Sequence, residues 1–204
     1  MDEKGGLMKR GGLFIAFEGL DGAGSTTQAY MLEQYLKQKN KVLLTKEPTQ
    51  NIIGGIIRAV LRGELHLSAQ TLQLLFAADR ANHLEKEMLP ALKKSFIVIS
   101  DRYIFSSLAY GASAGLDREW LLKLNEKFRM PDVTIFLDVK PETCIKRISE
   151  SRFNFELFEQ EEELRKVRKE YISLAERFDF KVVNGEGSIK ATHKKVLEII
   201  KKYL

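Results

Sequence analysis

The run Gly19-Leu20-Asp21-Gly22-Ala23-Gly24-Ser25-Thr26 fits the phosphate-binding template G-x-x-x-x-G-K-[ST] at every fixed position but one. The glycines let successive backbone N–H groups turn inward around phosphate oxygens. The Thr26 hydroxyl suits a direct bond to Mg²⁺. Where the template has lysine, the chain has Ser25. The positive charge usually placed on the β- and γ-phosphates must then come from another residue, or is absent. A second chemical element is Asp101-Arg102-Tyr103, at the end of an apolar run. A carboxylate there could orient the hydration shell of the same metal. Taken alone it is equally a turn or capping residue.

These groups need elements to position them. A phosphate loop requires a strand before it and a helix after it, so that the helix N-terminus faces the anion. Leu13-Phe14-Ile15-Ala16-Phe17 supplies the strand, and residues 26–39 carry an amphipathic helical pattern. Further strands are expected over 41–45, 96–100, 133–138 and 180–183. Helices are expected over 52–62, 69–93, 104–112, 118–127, 141–149, 159–177 and 188–203. Alternating short apolar strands and helices imply an α/β fold, a five-stranded parallel sheet covered on both faces. Ligands in such sheets sit at the carboxyl ends of the strands, which puts the loops after Glu18, Thr45, Ser100 and Asp138 on one rim.

The bulk composition sets bounds. With 204 residues, 44% hydrophobic and 30% charged, the chain suits one domain over 13–204, with residues 1–12 as a polar, Gly-rich flexible extension. Met8 is an alternative start within it, and no signal peptide or membrane span is evident. The net charge of +5 fits a polyphosphate-handling enzyme, but the basic residues alternate with Glu along helices, the pattern of a solvated face rather than of a nucleic-acid site. Cys144, the one cysteine, excludes an internal disulfide and suits a reduced, cytoplasmic setting. His66, His83 and His193 lack metal-ligand spacing and read as ordinary surface or boundary residues.

Five motifs in order now form a recognisable set: Phe17 to Gly24; Lys46-Glu47-Pro48; Leu75-Phe76-Ala77-Ala78-Asp79-Arg80; Asp101-Arg102-Tyr103 with Ser106, Ala109 and Tyr110; and Pro131-Asp132-x-Thr134-x-x-Leu137-Asp138. The set resembles thymidylate kinase over roughly residues 13–204. The resemblance implies a three-layer P-loop NTPase-type sandwich of the nucleoside monophosphate kinase group. It implies transfer of the ATP γ-phosphoryl to dTMP with Mg²⁺, for dTTP synthesis, in a homodimer with no nucleic-acid or membrane partner. Gly19, Leu20, Asp21, Gly22, Ala23, Gly24, Ser25, Thr26 and Thr27 would bind ATP, with Thr26 and Asp101 at the metal. Asp21 would accept from the 3′-hydroxyl of dTMP near the transferring phosphate, Phe76 would stack on thymine, and Arg80 would meet its carbonyl edge. Arg58 would grip the dTMP phosphate, and Arg102 would bridge the two phosphates. Ser106 would approach the base, Tyr110 would crowd the 2′ position, and Glu18 and Glu47 would help position waters or the metal. A short lid would span about 149–160, and its Arg152 is expected to supply the missing charge, with Arg147 just upstream.

The chain departs from the family pattern at Ser25, in a lid thin in charge, and at Lys46, where the family often has Arg. Three readings stay open: another cation compensates, the enzyme is slow, or the chain binds nucleotide without turning it over. A kinase for dUMP or for a deoxynucleoside is a further alternative. A deoxynucleoside would need a general base at its 5′-hydroxyl, whereas a monophosphate needs mainly cations, which Arg58, Arg80 and Arg102 favour.

Overall fold

A computed structural model describes residues 12–149 and 157–204. Arg152, with most of the expected lid, lies outside them. Five strands alternate with helices: β1 (Phe14–Gly19), α1 (Ser25–Leu36), β2 (Val42–Lys46), α2 (Ile52–Leu61), α3 (Ala69–His83), α4 (Leu89–Lys93), β3 (Ile97–Asp101), α5 (Ile104–Ser113), α6 (Arg118–Asn125), β4 (Val133–Asp138), α7 (Pro141–Ser149), α8 (Leu157–Arg177), β5 (Lys181–Asn184) and α9 (Ile189–Ile200). The sheet order is β2-β3-β1-β4-β5, and every pairing is parallel. The expected five-stranded parallel sheet is therefore the observed one.

The reason lies in the strand sequences. Every residue of β1 and β3 is buried, as expected of strands covered on both faces. Helices α1, α4 and α5 pack on these central strands, α8 on β4 and α9 on β5, while α7 packs on α8. Two aromatic sets fix the α5–α8 side: Phe136 stacks on Tyr171 at 5.1 Å, and Phe105 meets Phe180 edge-on at 4.4 Å. Gly12 joins the fold through an N–H bond to the Leu92 carbonyl of 2.8 Å.

The helical segment expected over 69–93 is interrupted. A π turn, Leu84–Met88, separates α3 from α4. Pro90 has no N–H to give to the carbonyl four residues earlier, and its ring needs room there; a wider turn before it supplies that room. Ser68 caps α3 by accepting from the Thr71 N–H at 3.1 Å.

Candidate active site

The loop after β1 wraps a cleft of about 460 Å³, lined by residues 20–28, Arg102, Arg147, Gly185, Gly187, Ile189 and Thr192. Gly24 stands at the N-cap of α1 with φ 95°, and no side chain caps the helix. The first N–H groups of α1 are thus left for an anion. Gly22, with φ 83°, packs so closely on α7 that a Cβ there would lie 2.6 Å from the Cys144 carbonyl oxygen. The left-handed backbone favours glycine at both points, and at Gly22 the close approach to α7 excludes a side chain as well. Ser25 is buried at the helix start, while Thr26 and Thr27 are exposed.

The end of β3 meets this loop. The Thr26 hydroxyl donates to Asp101 Oδ2 at 2.5 Å. Asp101 Oδ1 is buried with no partner. A buried unpartnered carboxylate oxygen beside a cleft threonine fits a hydrated divalent cation. No group of three or more His, Cys, Asp or Glu that could hold a metal ion occurs among the described residues.

Arg102 follows Asp101 with φ 70°, a left-handed backbone that non-glycine residues rarely adopt. Two bonds hold it there: its N–H to the Phe17 carbonyl at 2.9 Å, and the Ser100 hydroxyl to its own carbonyl at 2.6 Å. The conformation turns its guanidinium back over the loop after β1. Nη2 donates to Asp21 Oδ1 at 2.6 Å, Nη1 donates to Ser106 Oγ at 3.0 Å, and the group lies 5.4 Å from the Tyr110 ring centroid. The Tyr110 hydroxyl accepts from the Asp21 N–H at 3.3 Å. Asp21, far in sequence from the Arg102, Ser106 and Tyr110 motif, is brought onto it here.

Beneath Arg102 lies Glu18, fully buried. It accepts from the Ser106 hydroxyl at 2.6 Å, the Tyr171 hydroxyl at 3.0 Å and the Tyr103 N–H at 3.0 Å. Burial pushes its carboxyl up to about 7, against the opposing pull of Ser106, Arg102 and Tyr171. Burial likewise raises the Tyr110 and Tyr171 phenols well above their usual range. The Ser106 hydroxyl is engaged in this network rather than pointing free into a cavity.

The remaining expected residues lie on the β2–α2 side. Arg80 is buried, with Nη1 donating to Asn125 Oδ1 at 2.6 Å, Nη2 donating to Ser107 Oγ at 3.0 Å, and Nη2 lying 2.7 Å from Glu47 Oε2. Phe76, one turn before it, is half-buried. Arg58 bonds back to the Thr49 carbonyl, and Thr49 is held by Asp79 through its N–H at 2.8 Å and its hydroxyl at 2.6 Å. Arg147 reaches the cleft after β1, donating to the Ala23 carbonyl at 3.4 Å and the Gly185 carbonyl at 2.9 Å.

One reading needs correction. His83 is no surface or boundary residue: its side chain is fully buried against Glu47 and Thr45. Its position four residues after Asp79 and three after Arg80 was the available signal, since all three then share one helix face. Asn125 and Tyr171 were also missed. They are single polar residues on otherwise ordinary helices, with no local pattern to mark them. His66 is exposed, and His193 is half-buried 3.2 Å from Gln28 Oε1.

With this geometry established, sequence comparison decides the family. The thymidylate kinase family model matches residues 17–196. The chain belongs to the thymidylate kinase family. A protein of Pyrococcus abyssi named "Probable thymidylate kinase" is 42% identical over 198 residues, covering 93% of this chain and 96% of its own length. A Thermococcus onnurineus protein of the same name is also 42% identical, over 92% of this chain and 97% of its own. One from Methanocaldococcus jannaschii is 37% identical over 93% and 96%. The family-model match runs from within β1 into α9 and takes in both sides of the site. No helix among the described residues is long and apolar enough to cross a membrane.

Proposed function

We propose that the chain transfers the γ-phosphoryl group of ATP to dTMP, giving dTDP. The observation that carries this reading is the Arg102–Asp21 pair, 2.6 Å apart, at the mouth of the phosphate cleft. A donor phosphate seated on the N–H groups of residues 22–27 and an acceptor phosphate approaching from the Arg58 side would meet at this pair. The Arg102 fork can then address oxygens of both, and it never loses its charge. Phosphoryl transfer asks for positioning and cationic stabilisation, and a monophosphate acceptor needs no general base. Mg²⁺ bound with the nucleotide would neutralise charge on its β- and γ-phosphates, held by Thr26 and Asp101. Phe76 and Arg80 would face the thymine ring, Tyr110 and Asp21 the sugar, and Glu47 the loop that carries Arg58. Arg152 would supply the charge that Ser25 lacks. A homodimer is supported by the exposed apolar side chains Ile52, Ile56, Leu61 and Leu74 of α2 and α3.

A second reading has one observation in its favour. Ser25 is short, buried and uncharged where the template has lysine, so a nucleotide could bind without productive transfer. The test is dTMP-dependent ADP formation with Mg·ATP, on the parent chain and on Ser25→Lys. Turnover by the parent supports a kinase whose charge comes from elsewhere; activity in Ser25→Lys alone supports the binding protein. Turnover of dUMP or a deoxynucleoside in preference to dTMP would overturn the acceptor assignment.

A further inference from the structure

One buried side chain at the end of α3, His83, has no part in the chemistry above. The His83 imidazole is wholly enclosed, with Nδ1 3.1 Å from Glu47 Oε1 and Nε2 2.7 Å from Thr45 Oγ1. Glu47 is the anionic partner of Arg80, and a carboxylate only accepts. Nδ1 therefore carries a hydrogen and donates to Glu47. In the neutral ring Nε2 accepts from the Thr45 hydroxyl; in the protonated ring that hydroxyl accepts instead, and the bond to Glu47 is unchanged. Glu87 Oε2, at 3.8 Å from Nε2, is too far for a hydrogen bond.

Glu47 thus has Oε1 held by the His83 N–H, while Oε2 is ion-paired with Arg80 Nη2 at 2.7 Å and makes no hydrogen bond of its own. Asp79, on the same helix face, fixes the next turn of the loop through Thr49, and the Thr49 carbonyl takes Arg58. We infer that His83 is a positioning residue for the acceptor half of the site. Through Glu47 it sets the orientation of Arg80 and of the loop from which α2 presents Arg58. Without it, Glu47 Oε1 would be buried and unpaired, and the carboxylate would turn to find another donor, taking Arg80 with it. The donor cleft contains none of these residues, so the effect falls on the acceptor alone. This inference rests on the dTMP kinase reading.

The test is steady-state kinetics and dTMP titration calorimetry on the parent, His83→Leu, His83→Asn and Thr45→Val, each checked for folding by circular dichroism. A lost hydrogen bond to a charged group is worth roughly tenfold or more in an equilibrium constant. His83→Leu is expected to raise the dTMP KM and Kd about tenfold and to leave the ATP KM within about twofold. The Asn amide can still donate from near the Nδ1 position, so His83→Asn is expected to recover most of the loss. Thr45→Val keeps a β-branched strand residue and is expected to give a smaller shift in the same direction. An unchanged dTMP KM in folded His83→Leu, a parallel rise in both KM values, or an Asn variant no better than Leu would each overturn the inference. Should His83→Leu not fold, Thr45→Val decides, by a dTMP-only shift or by none. A parent that turns over dTMP while the variants match it sinks this inference alone; a parent that binds no dTMP sinks the function reading and this inference with it.

Discussion

Arg102 concentrates the chemistry of this site at a single residue, and its strained backbone shows what the fold gives up to aim it. Its guanidinium spans Asp21, Ser106 and the face of Tyr110. Replacing one preorganised charge in a phosphoryl-transfer site costs on the order of 10²–10³ in rate. Arg102→Ala is therefore expected to lower kcat for dTMP phosphorylation by about that factor, with the fold intact by circular dichroism; a loss under tenfold would remove Arg102 from the transition state. Glu18, below it, gives a pH prediction. Its folded pKa, about 7, stands above the ordinary 4.5 because burial penalises the charged form. The neutral carboxyl thus favours folding. That contribution is full below about pH 4.5 and is lost as the pH rises through about 7. Unfolding free energies of the parent minus those of Glu18→Gln should fall across this window, with a slope of at most about 1.4 kcal/mol per pH unit. A flat difference would contradict it.

At the scale of elements, the phosphate loop works because it is pressed between α1 and α7. Gly22 is the contact point, with φ 83° and no space for a Cβ against the Cys144 carbonyl. Gly22→Ala combines a left-handed backbone, worth roughly 1–2 kcal/mol against an L side chain, with that clash. Lower thermal stability is expected, together with an ATP KM raised tenfold or more as the loop backs away from α7. ATP titration and a melting curve on the same sample check both. The β2–α2 loop is held differently, by polar side chains of α3 rather than by shape. Asp79 takes both the N–H and the hydroxyl of Thr49, while Glu47 is shared by Arg80 and His83.

For the whole molecule, the donor cleft and the acceptor side meet only at the carboxyl ends of β1 and β3, so each substrate should stabilise the same folded unit. A ligand at about 100 times its Kd adds roughly 2.7 kcal/mol. For a chain of this size that is a rise in Tm of about 5–10 °C, by calorimetry with dTMP alone. The absence of any rise would mean that no acceptor site exists in the free chain. The apolar stripe of α2 and α3 gives the other prediction at this scale. Ile52 is 85% exposed, and Ile52→Glu should shift a dimer toward monomer in sedimentation without changing the Tm of the monomer.

Much of this was legible in the sequence. Periodicity gave the strand–helix alternation and a parallel sheet, because strands covered on both faces must be continuously apolar, as β1 and β3 are. Spacing marked the phosphate loop and Asp101-Arg102, because backbone geometry ties glycine and capping positions to local order along the chain. Three things depended on tertiary structure. The Arg102–Asp21 pair joins residues 81 positions apart. Glu18 acquires its raised pKa only from the burial that α5 and α8 impose. The spacing of His83 from Asp79 and Arg80 marks a shared helix face, but that the face is buried against Thr45 and Glu47 is settled only when α3 packs at the end of β2. Local pattern fixes which residues turn, extend or coil. Which distant side chains share a buried space, and so which protons and charges they hold, is decided only when the sheet is assembled.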